Sequence, residues 1–164
     1  MVTLDGVMKD ITLYPFGKGV LTAGGTQYGT LVTGIATTYT ALETVTITQP
    51  KGYILEEIKL ELMGETQSSG ATDSVIYETQ ASDDGASWDT ISSVITRAAS
   101  AAALADFASA LAGKLNLAVG TNFKGQGASF QVRVVAKSGG TTNTVSGAMK
   151  SSSYIILTYR LRGS

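Results

Sequence analysis

Alternation of apolar and polar residues constrains this chain more than any other feature. Across residues 54–63, Ile58, Leu60 and Leu62 alternate with Lys59 and Glu61, the period of two that sends successive side chains to opposite faces of a strand. A helix would scatter those apolar groups around its axis, so the segment predicts a half-buried strand whose inner face is already named. The alternation returns where Phe130, Val132 and Val134 flank Gln131 and Arg133, and where Val45 and Ile47 sit between Thr44, Thr46 and Thr48. Residues 75–81 and 154–161 are rich in β-branched and aromatic residues and predict two further strands. Weaker strand signals fall at 11–16, 19–21, 89–95, 115–119 and 142–149. Pro50-Lys51-Gly52 presets one φ and accepts a positive one, so it predicts a tight turn that pairs 44–48 with 54–63 as a hairpin.

Strands of this length between Gly and Ser turns predict an all-β fold, an antiparallel β-sandwich with jelly-roll-like topology. At 164 residues the chain suits one domain. One segment departs from the pattern: 98–112 is alanine-rich, and Leu104, Phe107, Ala108 and Leu111 recur at helical spacing before Gly113. That spacing predicts one short helix, lying over a sheet, across a sandwich end or against a neighbouring subunit. Residues 17–42 carry many Gly and Thr residues and pack little by themselves, so 1–42 is expected to form an arm and loop region seated on the domain or on a neighbour, with 43–164 as the sandwich. Aromatic and apolar residues in these two departures, Tyr14, Phe16, Tyr28, Tyr39, Leu104 and Phe107, are the candidate assembly contacts.

Composition narrows the chemistry. No histidine and no cysteine occur, which removes Ser-His-Asp and Cys-His nucleophiles, histidine- or thiolate-bound zinc, and disulfides. No catalytic residue, cofactor site or metal site is therefore expected. A carboxylate mechanism needs two acids facing each other in a cleft, but Glu57 and Lys59 share a strand face, Glu56 falls on the face of Ile58, and solvated strand carboxylates account for all three. Asp83-Asp84-Gly85, with Asp73 and Asp89 nearby, lacks the spacing of a twelve-residue calcium loop and reads first as a turn. Gly17-Lys18-Gly19 lacks the full phosphate-loop spacing. With 12 basic against 13 acidic residues, a net charge of −1 supplies no field for nucleic acid or an anionic membrane. No apolar stretch is long enough to span a bilayer, and the start of the chain shows no basic run followed by an apolar segment.

The segment from Ile76 to Trp88, Ile-Tyr-Glu-Thr-Gln-Ala-Ser-Asp-Asp-Gly-Ala-Ser-Trp, resembles the strand, Ser-x-Asp-Gly turn and tryptophan strand of discoidin-like and other jelly-roll modules and of many phage structural proteins. In this chain Asp84-Gly85 reverses the direction, the Ser82 hydroxyl caps the turn, and Trp88 folds back over the hairpin or offers a stacking platform for a sugar ring. The segment is similar to the sialidase Asp-box too, but it is one residue shorter between Asp and Gly and has no repeats. Charged residues are only 15% of the chain. Low charge, Thr/Ser/Gly/Ala richness, sandwich strands and a glycine-rich N-terminal region together resemble capsid decoration (cement) proteins of phages or archaeal viruses. That resemblance implies a homo-oligomer on the capsid surface of a virion, bound to a major capsid protein or another virion protein by multivalent contacts. A carbohydrate-binding or tail-fibre-like adhesion module, or an extracellular filament subunit that donates a strand, stands as the alternative.

Overall fold

The computed structural model describes residues 8–18, 29–68, 74–91, 95–98, 105–111, 123–140 and 144–163, with backbone alone at 61–68, 95–98 and 105–111. Among the described residues eleven strands follow in chain order: β1 Met8–Leu13, β2 Val32–Ile35, β3 Thr40–Thr48, β4 Tyr53–Ser68, β5 Ser74–Ser82, β6 Asp89–Thr90, β7 Ile95–Ala98, β8 Ala105–Leu111, β9 Ser129–Ser138, β10 Val145–Met149 and β11 Tyr154–Leu161. All pairings are antiparallel, and no helix occurs among the described residues.

The registers reduce eleven strands to eight ribbons. Leu60 and Glu61 pair with both β11 and β8, while Gly64, Glu65 and Thr66 pair with both β10 and β8. A strand has only two edges, so β8 holds one edge of β4, and β10 and β11 lie end to end along the other. The short interruption at 150–153 closes on itself through Ser153 N–H donating to the Lys150 carbonyl at 3.0 Å. β1 then borders β11 and β2 borders β10, making one outer ribbon. In the second sheet β3 pairs β9, β9 pairs β5, and the outer edge of β5 carries β6 and β7 in line. Numbered along the chain, the first sheet runs first, eighth, third, sixth ribbon, and the second runs second, seventh, fourth, fifth.

Both sheets turn their alternate apolar residues to one shared core. It includes Phe16, Ile35, Ile47, Leu55, Ile58, Val75, Tyr77, Phe123, Phe130, Val132, Val134, Ile155, Leu157 and Tyr159. The inner faces read from the sequence at Ile47, Ile58, Leu60, Phe130, Val132 and Val134 are the observed ones. Phe123 and Phe130 meet edge to face with centroids 5.3 Å apart, a geometry favoured by the ring quadrupoles. Burial pushes the Tyr159 hydroxyl up to about 12 and the Tyr77 hydroxyl higher still.

Three expectations are corrected. Within the stretch expected to be helical, residues 105–111 run as β8; 99–104 and 112 lie outside the described residues. Pairing with the edge of β4 from Leu60 to Thr66 satisfies backbone groups that a helix would leave open, and this outweighs alanine's helix preference. The 44–48 and 54–63 strands do not pair with each other. The turn exists, with Gly52 at φ 82°, but β3 joins β9 and β4 joins β11. Ile47 and Ile58 therefore belong to opposite sheets, and both are buried in the core that the sheets share. Finally, Phe16 is fully buried and serves the core rather than an assembly surface. The weak strand signals at 19–21 and 115–119 lie outside the described residues, whereas 89–95 divides between β6 and β7.

Gly17 marks a close backbone crossing. Its φ is 68°, and a Cβ there would stand 2.2 Å from the Ser151 nitrogen and 2.3 Å from the Lys150 carbonyl carbon. Gly34 has nearly the same φ, 70°, yet a Cβ would meet nothing within 4 Å. Gly34→Ala should therefore cost only the left-handed backbone term, about 1 kcal/mol, and Gly17→Ala about 3 kcal/mol or more, because backbone must shift as well. Urea unfolding midpoints of the two variants check the contrast; equal losses would disprove the close-approach account.

Candidate functional site

The tip of the chain's central hairpin is built from Ser82 to Trp88. Gly85 adopts φ 74°, and the Ser82 hydroxyl accepts the Gly85 N–H at 2.8 Å and the Asp84 N–H at 3.3 Å. That hydroxyl donates to Asp84 Oδ1 at 2.9 Å, and the same carboxylate oxygen accepts the Ala86 and Ser87 N–H groups, each at 2.8 Å. These bonds to the charged form hold the Asp84 carboxyl down at about 2. The Trp88 indole N–H donates to the Gly85 carbonyl at 3.2 Å. The capped turn and folded-back tryptophan are thus as the residue types predict.

Neighbouring loops are fastened to this tip by side chains that accept or donate to backbone. Asp83 accepts the Lys124 and Gly125 N–H groups at 2.6 and 3.0 Å, and Asp89 accepts the Phe123 N–H. The Gln49 amide donates to the Gly125 and Gly127 carbonyls, both at 2.8 Å, and the Arg162 N–H donates to the Gly52 carbonyl at 2.7 Å. One end of the sandwich becomes a cross-tied surface around an open cavity of about 320 Å³, lined chiefly by 48–54 and 125–128. Asp83, Asp84 and Asp89 are committed to chain N–H groups. Among the described residues no three His, Cys, Asp or Glu side chains gather at metal-binding spacing.

Trp88 also reaches the outer face of the second sheet, where the Arg133 guanidinium carbon lies 3.9 Å from its ring centroid. Arg133 Nε donates to Gln80 at 2.7 Å, Gln80 donates to Glu78 at 2.6 Å, and the Thr90 hydroxyl donates to the same Glu78 oxygen at 2.7 Å. Tyr39 completes the row: its hydroxyl is hydrogen-bonded to Glu78, with its pKa raised by burial and then by that carboxylate, and Lys137 stands 4.6 Å from its ring centroid. The pairing of Gln80 with Arg133 and of Ile76 with Lys137 puts both cation–ring pairs on one face of β9, about 13 Å apart along the strand. The two rings therefore frame a polar row around a nearly buried carboxylate.

A second surface lies along β1. Met8 and Tyr14 are 54% and 53% exposed, the two highest values among the exposed large apolar side chains described. Tyr14 stacks obliquely on Tyr154 with centroids 5.7 Å apart. Beside it, Leu13, Tyr14, Pro15 and Lys18 face Thr46, Ile47 and Thr48 across a groove of about 350 Å³. Below that groove Gly17 N–H donates to both carboxylate oxygens of Glu43 at 3.0 and 3.1 Å; burial raises the Glu43 pKa and this bond lowers it.

Of the residues singled out by sequence, Trp88 and Tyr39 therefore share one sheet face, Tyr14 lies on the other sheet's margin, and Phe16 is internal. Tyr28 and Leu104 lie outside the described residues, and Phe107 is placed by backbone alone in β8. Sequence reasoning did not single out Met8, Gln80 or Arg133, and it took Glu78 only as one of several solvated carboxylates. The alternation that buries Val132 and Val134 already turned Arg133 outward, but nothing local paired it with Gln80. Glu56 is a further difference: a register shift opposite Thr158 and Tyr159 frees it from the Ile58 face to meet Arg160 at 2.9 Å, while Glu57 meets Lys59 at 3.0 Å.

No family model matches the chain, and no curated protein does. Among solved structures it is similar to that of infectious bursal disease virus, Gx strain, at TM-score 0.40 and 7% identity over 94% of this chain and 38% of that one. It is similar to the VP2 subviral particle of infectious bursal disease virus at TM-score 0.38 and 8% identity, over 93% of this chain and 37% of that one. For the Gt strain the values are 0.37 and 12%, over 96% and 38%. The chain spans little more than a third of the length of these chains, and a similarity this remote says nothing of function.

The Asp84 bonds carry a pH dependence. With the folded value near 2, below the ordinary 3.8, their contribution is complete above the ordinary value and is lost as pH falls through about 2. Asp84→Ala should lower the thermal midpoint at neutral pH, and the gap to wild type should close on acidification through that window. A gap that stays constant down to pH 2 would show that Asp84 acts otherwise than as a charged acceptor.

Proposed function

We propose that this chain is a non-enzymatic structural protein of a virion, a capsid decoration or cement protein with jelly-roll topology. The carrying observation is the ribbon order. A jelly roll is a long hairpin of eight strands wrapped into two sheets, so the first strand pairs with the eighth, the second with the seventh, the third with the sixth and the fourth with the fifth. In this chain β1 and β2 border β11 and β10, β3 borders β9, β4 borders β8, and β5 borders β6 and β7. Wrapping adds the eighth beside the third and the seventh beside the fourth, and β4 borders β10 and β11 while β9 borders β5. The Asp84-Gly85 turn is the tip of that hairpin, with half of the chain on either side.

Viral capsid and lectin domains are the recurrent hosts of this topology, and fold alone does not choose between them. The cross-tied loop end favours the first: its side chains hold backbone in place around an open cavity, which suits shape-complementary contact with another protein surface. Acting at many equivalent sites, modest contacts of this kind would stiffen a shell through effective concentration. The row framed by Trp88 and Tyr39 favours glycan recognition as the second reading, since the rings offer apolar planes and Gln80 and Thr90 offer polar groups between them.

Gradient-purified particles from the chain's source decide between the readings. The structural reading expects the protein on intact capsids in fixed stoichiometry, and capsids made without it should lose their contents at a lower temperature. Absence from particles, combined with retention on immobilised glycan that Trp88→Ala abolishes, would replace it with the lectin reading.

A further inference from the structure

The first sheet ends in a strand whose outer edge nothing pairs among the described residues. β1 is matched to β11 without a register break from Met8↔Arg160 to Leu13↔Ile155, and Tyr14 continues that line beside Tyr154. Its outward N–H and C=O groups form a template for another extended chain. The neighbouring free edge differs. β3 is broken by a bulge between Ala41 and Glu43, and the chain at 13–18 runs beside its end, with Gly17 bonded to Glu43. Bulges and covering segments are the usual protections of an edge, and among the described residues β1 has neither. Its charged side chains are drawn back over the sheet: Lys9 Nζ lies 5.6 Å from the Tyr53 ring centroid, and Asp10 accepts the Thr158 hydroxyl at 2.7 Å.

We propose that β1 pairs antiparallel with β1 of a second copy, about a two-fold axis through Ile11. A two-fold normal to the sheet keeps each side chain on its own face, so only residues an even number apart can lie opposite one another. Centring on Lys9 or on Asp10 would set like charges directly against each other, which disfavours both registers. Centring on Thr12 draws Pro15, which has no N–H to give, into the seam opposite Lys9. Centring on Ile11 uses 8–14 in full. It sets Asp10 against Thr12 of the second copy, Lys9 against its Leu13, and Met8 against its Tyr14. The two most exposed apolar side chains described thereby cover one another twice, with a thioether against a phenol ring. The result joins two first sheets into one continuous sheet. It does not depend on the virion reading: a β1 dimer would stand in a lectin equally well.

Because the natural sequence contains no cysteine, single replacements give an unambiguous test. Ile11→Cys brings two thiols opposite each other at the axis and should yield a disulfide-linked dimer under mild oxidation. In Thr12→Cys each thiol is displaced by two positions from its symmetry mate, beyond the roughly 7 Å limit between Cα atoms, and should not cross-link. Wild-type protein should sediment at twice 17.0 kDa with concentration-dependent dissociation and a thermal midpoint that rises with concentration, and Met8→Glu with Tyr14→Glu should sediment as a monomer that keeps the wild-type circular-dichroism spectrum and a cooperative, concentration-independent transition. A wild-type monomer or trimer overturns the proposal, as does cross-linking of Thr12→Cys equal to that of Ile11→Cys. Capsid association is measured separately, so loss of one result leaves the other standing.

Discussion

Hydrogen bonding along the two edges of β4 holds the architecture together. One edge carries β10 and β11, which bring the end of the chain back to its first half, and the other carries β8. Without the β10 and β11 ladder the first sheet separates into two-ribbon pieces too narrow to bury their inner faces, and without the β8 ladder β4 becomes an open edge. The second sheet is built likewise around β5, with β9 on one edge and β6 and β7 in line on the other, and it is fixed opposite the first by a core shared between them. Tyr77 from one sheet and Tyr159 from the other are both fully buried. Partners such as Met8 and Arg160 lie at opposite ends of the sequence, so chain closure must be achieved before these contacts repay it, which places the protein among slow-folding topologies.

With few charges to spend, the molecule uses carboxylates as internal fasteners. Asp83, Asp84 and Asp89 bind N–H groups of turns and loops, Glu43 holds Gly17, and Glu78 gathers Gln80, Thr90 and Tyr39. A carboxylate accepting several donors is strongly bound to one geometry, so these loops present fixed surfaces. This economy is physically coherent with a protein that works by contact. Shape complementarity needs a surface already in its bound form, since ordering loops on association would consume binding energy.

Local signals were legible where one residue's neighbours decide its state. The inner faces of β3 and β9, and of β4 at Ile58 and Leu60, followed from alternation, because the period of two leaves no choice once one face is apolar; the register shift at Glu56 was not legible that way. The Ser82–Trp88 turn followed from Ser, Asp and Gly chemistry confined to a few residues. Arg133 beside Trp88 was not legible, since the two meet only when β9 and β5 lie side by side, and the same is true of Gln49 with Gly125 and Gly127. The alanine-rich stretch misled for the same reason. Its helical spacing is real, but residues 105–111 are governed by a β4 edge some forty residues earlier.

The sequence by itself determined that the chain forms strands, which faces of them are apolar, where the central hairpin turns, and that neither histidine nor cysteine chemistry is open to it. Those properties are set by steric periodicity, turn stereochemistry and the presence or absence of particular atoms. Only the tertiary structure decided which strands are neighbours, that β3 and β4 belong to opposite sheets, and that residues 105–111 extend. Backbone hydrogen bonds in a sheet are indifferent to side-chain identity and sequence distance. The choice of partner is therefore made by closure of the whole sandwich, where every apolar face must be covered and nearly every edge paired at once.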